Sequence, residues 1–130
     1  MTKPADEELI RIARELIRAR YREGYHHIAA ALRTVSGQVF TGVHVEAHVG
    51  RITLCGEAVA IGAAATAGDT DIVSIVAVAE NGDIVPPCGM CRELISDYAP
   101  AARVILVRDG REVAVPVSEL LPEKYSRDAS

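Results

Sequence analysis

The chain has 130 residues, of which 49% are hydrophobic, and a formal net charge of −4 at pH 7. This length and composition predict one domain over residues 1–130, and the acidic balance with only 4% aromatic residues argues against nucleic acid as a partner, because such binding needs basic side chains and stacking platforms. No apolar run reaches the length of a membrane span and no signal peptide is evident, so we expect no membrane contact and a cytoplasmic location.

The first predicted element is an amphipathic helix over Asp6–Arg22. Its apolar residues recur at helical spacing, and its acidic residues precede its arginines, as the helix dipole favours. Two strand-like runs follow, Ile28–Arg33 and Gln38–Val45. The turn residues Ser36-Gly37 lie between them, so the segment predicts a β-hairpin.

Two more helices and three more strands are predicted in the remaining chain. The helices are Glu57–Ala67, which ends at the capping residue Gly68, and Cys88–Tyr98, which ends before Pro100. Runs of β-branched residues predict the strands Ile72–Ala79, Val104–Val107 and Glu112–Val115, the last two joined by the turn Asp109-Gly110. These elements predict an α/β domain with a five-stranded sheet.

All three cysteines fall in two short motifs. Cys55 lies in Leu54-Cys-Gly-Glu57, and Cys88 and Cys91 lie in Pro87-Cys-Gly-Met-Cys91. Together they read C-x-E and P-C-x-x-C, the three-cysteine form of a signature found in zinc-dependent deaminases. A catalytic zinc takes three protein ligands and keeps its fourth position for water or substrate, whereas a structural zinc needs a fourth cysteine or histidine. The motifs therefore predict a catalytic zinc site.

Glu57 is the predicted catalytic acid and base. A carboxylate beside the metal can take a proton from water and pass protons to the ring nitrogen and the departing amine. Three other interpretations of the cysteines remain open, namely buried apolar residues, a redox C-x-x-C motif and a disulfide framework. The redox interpretation needs neither Cys55 nor Glu57, and the disulfide interpretation leaves one thiol unpaired.

The predicted helices place the cysteines at helix N-termini. The unpaired N–H groups and the positive end of the dipole stabilise anionic sulfur there. Three thiolates give the zinc site a formal charge of −1, which needs compensation. Arg92, next to Cys91, is either a hydrogen-bond donor to sulfur that supports the site or a surface arginine on a helix.

Over residues 21–125 the chain resembles the small cytidine deaminase family, and especially its blasticidin-S deaminase branch. The segments that carry the resemblance are Gly37–Glu46, Cys55–Gly62, Pro87–Glu93 and Glu119–Tyr125. The resemblance implies a three-layer α/β/α sandwich with a mixed five-stranded sheet, and a homotetramer whose active sites take residues from neighbouring subunits. It also implies pyrimidine salvage as the biological role.

The resemblance further implies a role for each matching site residue. Cys55, Cys88 and Cys91 would bind zinc and Glu57 would move protons. The backbone of Gly56 would meet the pyrimidine edge, and the carbonyl of Pro86 would face the leaving amine. Tyr125 would either close over a neighbour's substrate or pack at a subunit edge.

The departures from the family pattern concern the sugar. Cytidine deaminases hold the ribose hydroxyl with Asn-x-Glu, and here His44 stands in place of the asparagine while Glu46 is kept. Blasticidin-type enzymes carry the asparagine and lack Glu46, but they share a tyrosine at the position of Tyr125. The other histidines, His26, His27 and His48, are interpreted as surface or core groups rather than ligands.

We therefore expect a zinc-dependent hydrolytic deaminase of a small molecule, with cytidine or deoxycytidine as the leading substrate. Blasticidin S or another aminated heterocycle is the alternative substrate. A zinc-binding assembly protein without catalysis is the alternative from another class, and Glu57 argues against it because a structural site has no use for such a carboxylate.

Overall fold

Three α-helices and six strands form the part of the protein that the computed structural model describes, residues 2–127. The predicted domain also included Met1 and residues 128–130, which lie outside the described residues. In chain order the elements are α1 Pro4–Arg20, β1 Ile28–Thr34, β2 Val39–Val43, α2 Gly56–Thr66, β3 Ile72–Ala79, β4 Ile84–Val85, α3 Gly89–Tyr98, β5 Arg103–Arg108 and β6 Arg111–Pro116. No helix among these residues is long and apolar enough to cross a membrane.

The strands form one mixed sheet in the order β2-β1-β3-β5-β6. Only β3 and β5 run parallel, and the other neighbours are antiparallel. The sheet contains one strand more than predicted, because β4 pairs with the end of β3 at Ala77 and Val78. With two residues, Ile84 and Val85, β4 is too short to show the alternating pattern from which strands are recognised.

Helices cover both faces of the sheet, which confirms the predicted three layers. Helix α1 packs on one face through Leu9, Ala13 and Ile17, against a cluster that includes alternate residues of β1 and β3. Helices α2 and α3 pack on the other face with Ala60, Ile61 and Ile95. Both central strands are buried on both faces, so their sequences read as continuous apolar runs.

A buried ion pair anchors α1 to the sheet. Asp6 is 2% exposed and accepts hydrogen bonds at 3.1 and 3.3 Å from the Arg103 guanidinium of β5. Burial alone would raise the pKa of Asp6, but the Lys3 backbone N–H and Arg103 outweigh it and hold that pKa below its ordinary value. The helix begins at Pro4 rather than at the predicted Asp6 because this carboxylate caps its first turn.

Helix α2 approaches β2 so closely that only glycine fits at position 42. A Cβ atom on Gly42 would lie 2.5 Å from the Ala60 nitrogen and 2.7 Å from the Gly56 oxygen. Both atoms belong to the helix backbone, which cannot yield as a flexible side chain would. The contact therefore fixes the start of α2, and with it Cys55 and Glu57, relative to the sheet.

We expect Gly42→Ala to lower the free energy of unfolding by about 1–3 kcal/mol, since the helix must move away from the sheet. Gly62→Ala is the control, because Gly62 lies on α2 and an added Cβ there would meet no atom of this chain within 4 Å beyond its chain neighbours and the backbone of its own helix. This control should be neutral or stabilising by up to about 1 kcal/mol. Urea unfolding of both variants measures the difference, and equal stability of the two would contradict the close contact.

Candidate metal centre and active site

The three cysteines converge, as the motifs predicted. The sulfurs of Cys55, Cys88 and Cys91 all lie within 4.8 Å of one another, and those of Cys55 and Cys88 are 3.7 Å apart. A tetrahedral zinc with Zn–S bonds of about 2.3 Å places its sulfurs about 3.8 Å apart. The donor set of three sulfurs and its spacing therefore fit zinc.

Two helix N-termini bring the sulfurs together. Cys55 is the residue that caps α2, and Cys88 caps α3, while Cys91 lies in the first turn of α3. The Val59 N–H bonds to the Cys55 carbonyl and the Arg92 N–H to the Cys88 carbonyl, so each cysteine is held by its helix. The i, i+3 spacing then puts Cys88 and Cys91 on one side of the turn.

Helix position and burial act in opposite directions on the thiols. Burial works to raise the pKa of Cys88, but hydrogen bonds from the Cys91 backbone N–H, from the Cys91 and Cys55 thiols and from the Met90 N–H together bring that pKa below its ordinary value. Burial raises the pKa of Cys55. Burial and the nearby Glu57 carboxylate raise the pKa of Cys91 strongly. A coordinated divalent cation deprotonates such thiols, and its positive charge offsets the repulsion among the thiolates and the Glu57 carboxylate.

Glu57 is a buried carboxyl group beside the cysteines. Its residue is 5% exposed, and burial raises the pKa of Glu57, with hydrogen bonds from its own backbone N–H and from Cys91 acting in the opposite direction. A raised pKa makes this carboxylate a stronger proton acceptor than an ordinary glutamate, which suits a group that takes up and returns protons. This position suits the proton carrier that the sequence predicted.

A cavity of about 320 Å³ opens next to this centre. Its lining is predominantly apolar and includes Glu57, two of the cysteines and both predicted contact residues, Gly56 and Pro86. The remaining lining residues are His27, Ile28, His44 and Val85. A cavity of this size takes a single small molecule.

His44 lines the cavity, but Glu46 is not among its lining residues within residues 2–127. The two side chains bond to each other, with 2.9 Å between His44 Nε2 and Glu46 Oε1. Glu46 also accepts a hydrogen bond from the Thr53 hydroxyl. These two bonds hold the pKa of Glu46 below its ordinary value. Their predicted contact with a sugar stays a prediction.

The Arg92 side chain bonds to backbone carbonyl groups near the metal site. Its guanidinium donates to the carbonyl oxygens of Pro87 at 2.9 Å and Leu120 at 3.2 Å. The Pro87 carbonyl immediately precedes Cys88, so these bonds hold the loop that carries a zinc ligand. Both of these bonds go to backbone oxygens rather than to a sulfur, and the predicted support of the metal site by Arg92 stays a prediction.

Tyr125 lies apart from the cysteines of its own chain. It is 79% exposed and lines a second cavity with residues of α3, Glu93, Asp97 and Tyr98. Lys124 beside it forms an ion pair with Asp97. Contact between Tyr125 and a substrate would therefore have to come from a neighbouring subunit, which stays a prediction.

His27, Ile28 and Val85 were not predicted to line the site. Ile28 begins β1 and its carbonyl accepts a hydrogen bond from the N–H of His44, which places the start of β1 against the end of β2. The hairpin that the sequence did predict carries this information, because the two ends of an antiparallel pair opposite the turn lie side by side. Val85 belongs to the short strand β4, which no pattern in the sequence indicated.

Comparison with known proteins gives consistent matches. A family model described as the cytidine and deoxycytidylate deaminase zinc-binding region matches residues 3–108. The chain is 45% identical over 131 aligned positions to a blasticidin-S deaminase from Bacillus cereus, covering 95% of this chain and 94% of that protein. It is 33% identical over 103 positions to a cytidine deaminase from Halalkalibacterium halodurans, covering 78% of each. The crystal structure of a cytidine deaminase from Mycobacterium leprae superposes with a TM-score of 0.80 at 26% identity, covering 94% of this chain and all of that one.

We expect about one zinc per chain when the protein is purified without added metal, because the three sulfurs are placed to bind one ion. Cys88→Ser should lose most of the metal, while Ser96→Ala, a change on the same helix, should keep it. Elemental analysis and anomalous scattering at the zinc edge measure both. A disulfide between Cys55 and Cys88 in a protein without metal would contradict the site.

Proposed function

The chain belongs to the cytidine and deoxycytidylate deaminase zinc-binding family and is a zinc-dependent deaminase, and from this premise we propose that it removes the amine of a cytosine nucleoside by hydrolysis. The supporting observation is the convergence of three cysteine sulfurs beside the buried Glu57 at a cavity of single-molecule size. In the proposed reaction a C–O bond forms and a C–N bond breaks at the amine-bearing carbon. Water is consumed, ammonia leaves, and no atom is oxidised or reduced.

Each step relies on a residue of this chain. When bound, zinc supplies a Lewis acid that makes water more acidic beside Glu57. Glu57 takes the proton from that water and returns protons to the ring nitrogen and the departing amine. The Gly56 backbone holds the pyrimidine edge, and the Pro86 carbonyl accepts a hydrogen bond from the amine. The apolar lining excludes bulk water from these groups, which strengthens their electrostatic interactions.

Cytidine or deoxycytidine is the leading substrate, and blasticidin S, a modified cytosine nucleoside, is the second candidate. The 45% identity to a blasticidin-S deaminase favours the second candidate, while the retained Glu46 favours the first. Both share a cytosine ring with a substituent on N1. We further propose that the enzyme acts in the cytoplasm, where thiols stay reduced, and that a nucleoside substrate would place it in pyrimidine salvage.

An ammonia-release assay across cytosine, cytidine, deoxycytidine, blasticidin S, guanine and a pterin separates these possibilities. We expect turnover of the N1-substituted cytosines and little turnover of guanine or the pterin. A protein that deaminates only a purine or a pterin would overturn the cytosine proposal and leave the zinc chemistry in place. A protein that releases no ammonia from any of them would overturn both substrate candidates.

We expect Glu57→Gln to keep zinc and fold but to lower kcat at least 10²–10⁴-fold, since an amide cannot carry protons through the reaction. Glu7→Gln is the control, because Glu7 is exposed on α1, on the far side of the sheet. The measurements are the rate of ammonia release, the zinc content and the thermal unfolding midpoint. Near-normal turnover by the Glu57→Gln variant would remove Glu57 from its proposed role.

We also propose a homotetramer. The outward face of α2 consists of small residues, including Ala63 and Ala65, which permit close approach of another helix. The segment before α2 exposes the apolar residues Val49 and Ile52, at 69% and 64%. Sedimentation at micromolar concentration should give a multiple of 13.9 kDa, and Ala63→Arg should reduce it. A single-chain mass for the unmodified protein would contradict the assembly.

A further inference from the structure

The imidazole of His44 has both of its nitrogens occupied by protein groups. Its Nδ1 lies 3.2 Å from the backbone N–H of His27 and must act as the acceptor there. Its Nε2 lies 2.9 Å from a Glu46 oxygen and must act as the donor. A neutral imidazole has only one donor and one acceptor, so this pair of bonds assigns the Nε2–H tautomer and leaves no ring nitrogen over.

The adjacent His27 has a hydrogen bond at one ring nitrogen and a longer contact at the other. Its Nε2 accepts a hydrogen bond from the Gly24 N–H at 2.9 Å, and its Nδ1 faces a Glu80 oxygen at 3.6 Å. The rings of His27 and His44 lie 5.9 Å apart, tilted by 38°. These two rings form one wall of the cavity, and their nitrogens point to protein groups, which agrees with the predominantly apolar lining.

Glu46 bonds to His44 of this wall but is not itself a lining residue within residues 2–127. Its two oxygens bond to His44 and to the Thr53 hydroxyl. Thr53 in turn accepts a hydrogen bond from the Ala47 N–H at 3.3 Å. The carboxylate is therefore part of a chain of bonds that holds the His44 ring, and of the residues in this chain of bonds only His44 lines the cavity.

We propose that Glu46 and the His27 backbone N–H are positioning groups that hold the His44 ring in one orientation. The cavity then selects an N1-substituted cytosine by the shape of its ring, and neither His44 nor Glu46 binds the sugar hydroxyls. This inference rests on the proposed deamination of cytosine derivatives. It differs from the expectation that His44 and Glu46 together hold a ribose hydroxyl. The substrate class becomes cytosines with varied N1 substituents, whether or not these carry hydroxyl groups.

The comparison of cytidine with 2′,3′-dideoxycytidine tests the proposal. The wild-type kcat/KM values should agree within about threefold, since neither ring nitrogen of His44 is free to bond a hydroxyl. His44→Asn should raise the ratio of kcat/KM for cytidine to kcat/KM for 2′,3′-dideoxycytidine by about 2- to 10-fold, which corresponds to the free energy of one hydrogen bond. The carboxamide has two donors and two lone pairs, so two sites remain after it replaces both bonds of His44.

Glu46→Gln separates positioning from direct substrate binding. The amide oxygen can accept the same bond from His44, so the ratio should stay at the wild-type value. If the carboxylate bonded a sugar hydroxyl itself, the loss of a charged acceptor would lower the ratio roughly 10- to 100-fold. A wild-type preference for cytidine above about threefold, or such a drop in the Glu46→Gln variant, would overturn the proposal.

The ring tautomer of His44 gives a readout that does not depend on activity. The chain has four histidines, so long-range ¹H–¹⁵N spectra of the zinc-loaded protein at about pH 8 can be assigned with the His44→Asn variant. We expect the Nε2–H tautomer in the wild type and in Glu46→Gln, and a mixture of tautomers in Glu46→Ala. An Nδ1–H tautomer or a mixture in the wild type would overturn the proposed positioning of His44 even if neither nucleoside is a substrate.

Discussion

One metal ion needs three sulfurs at a single point, and two separate loops of this chain must supply them. Much of the described fold serves this requirement. The sheet places the starts of α2 and α3 side by side on one face, so that Cys55 and Cys88 meet although 33 residues separate them. A helix start contributes free N–H groups as well as position, and the lowered pKa of Cys88 shows that contribution. The same turn of α2 carries Glu57, so one helix terminus provides both a metal ligand and the proton carrier.

The contact between α2 and β2 fixes the position of this centre relative to the sheet. Gly42 lets the helix backbone rest directly on the strand, and Gly56 is itself in close contact with Ala30 and Ile28 of β1. Two glycines that face each other across two elements leave no side chain whose rotation could loosen the junction. Glu57 is buried in the first turn of the same helix, directly after Gly56.

The sequence predicted the features that show as a periodic pattern and those that need particular residue types, such as metal ligands. Strand β3 has the predicted bounds, and the three cysteines, with glutamate two residues after the first, indicated the metal centre. Other features depend on contacts between distant residues. Strand β2 ends at Val43 rather than at the predicted Val45, because the His44 bond to Ile28 is the last one to β1 and Val45 pairs instead with Leu54. His27 joins the cavity wall through contacts with Gly24 and His44 that no local pattern reveals.

The shortest strand, β4, fixes where the chain leaves the sheet before it reaches the zinc ligand Cys88. Strand β4 pairs Ile84 with Val78 and Val85 with Ala77, and two prolines connect it to Cys88. Because side chains alternate along a strand, a shift of one residue in the pairing of β4 with β3 would move Val85 to the other face of the sheet. The proline pair restricts the backbone that could absorb such a shift. The pairing register of β4 therefore bears on the position of Cys88 as well as on the sheet, although the turn that precedes β4 lies on the surface.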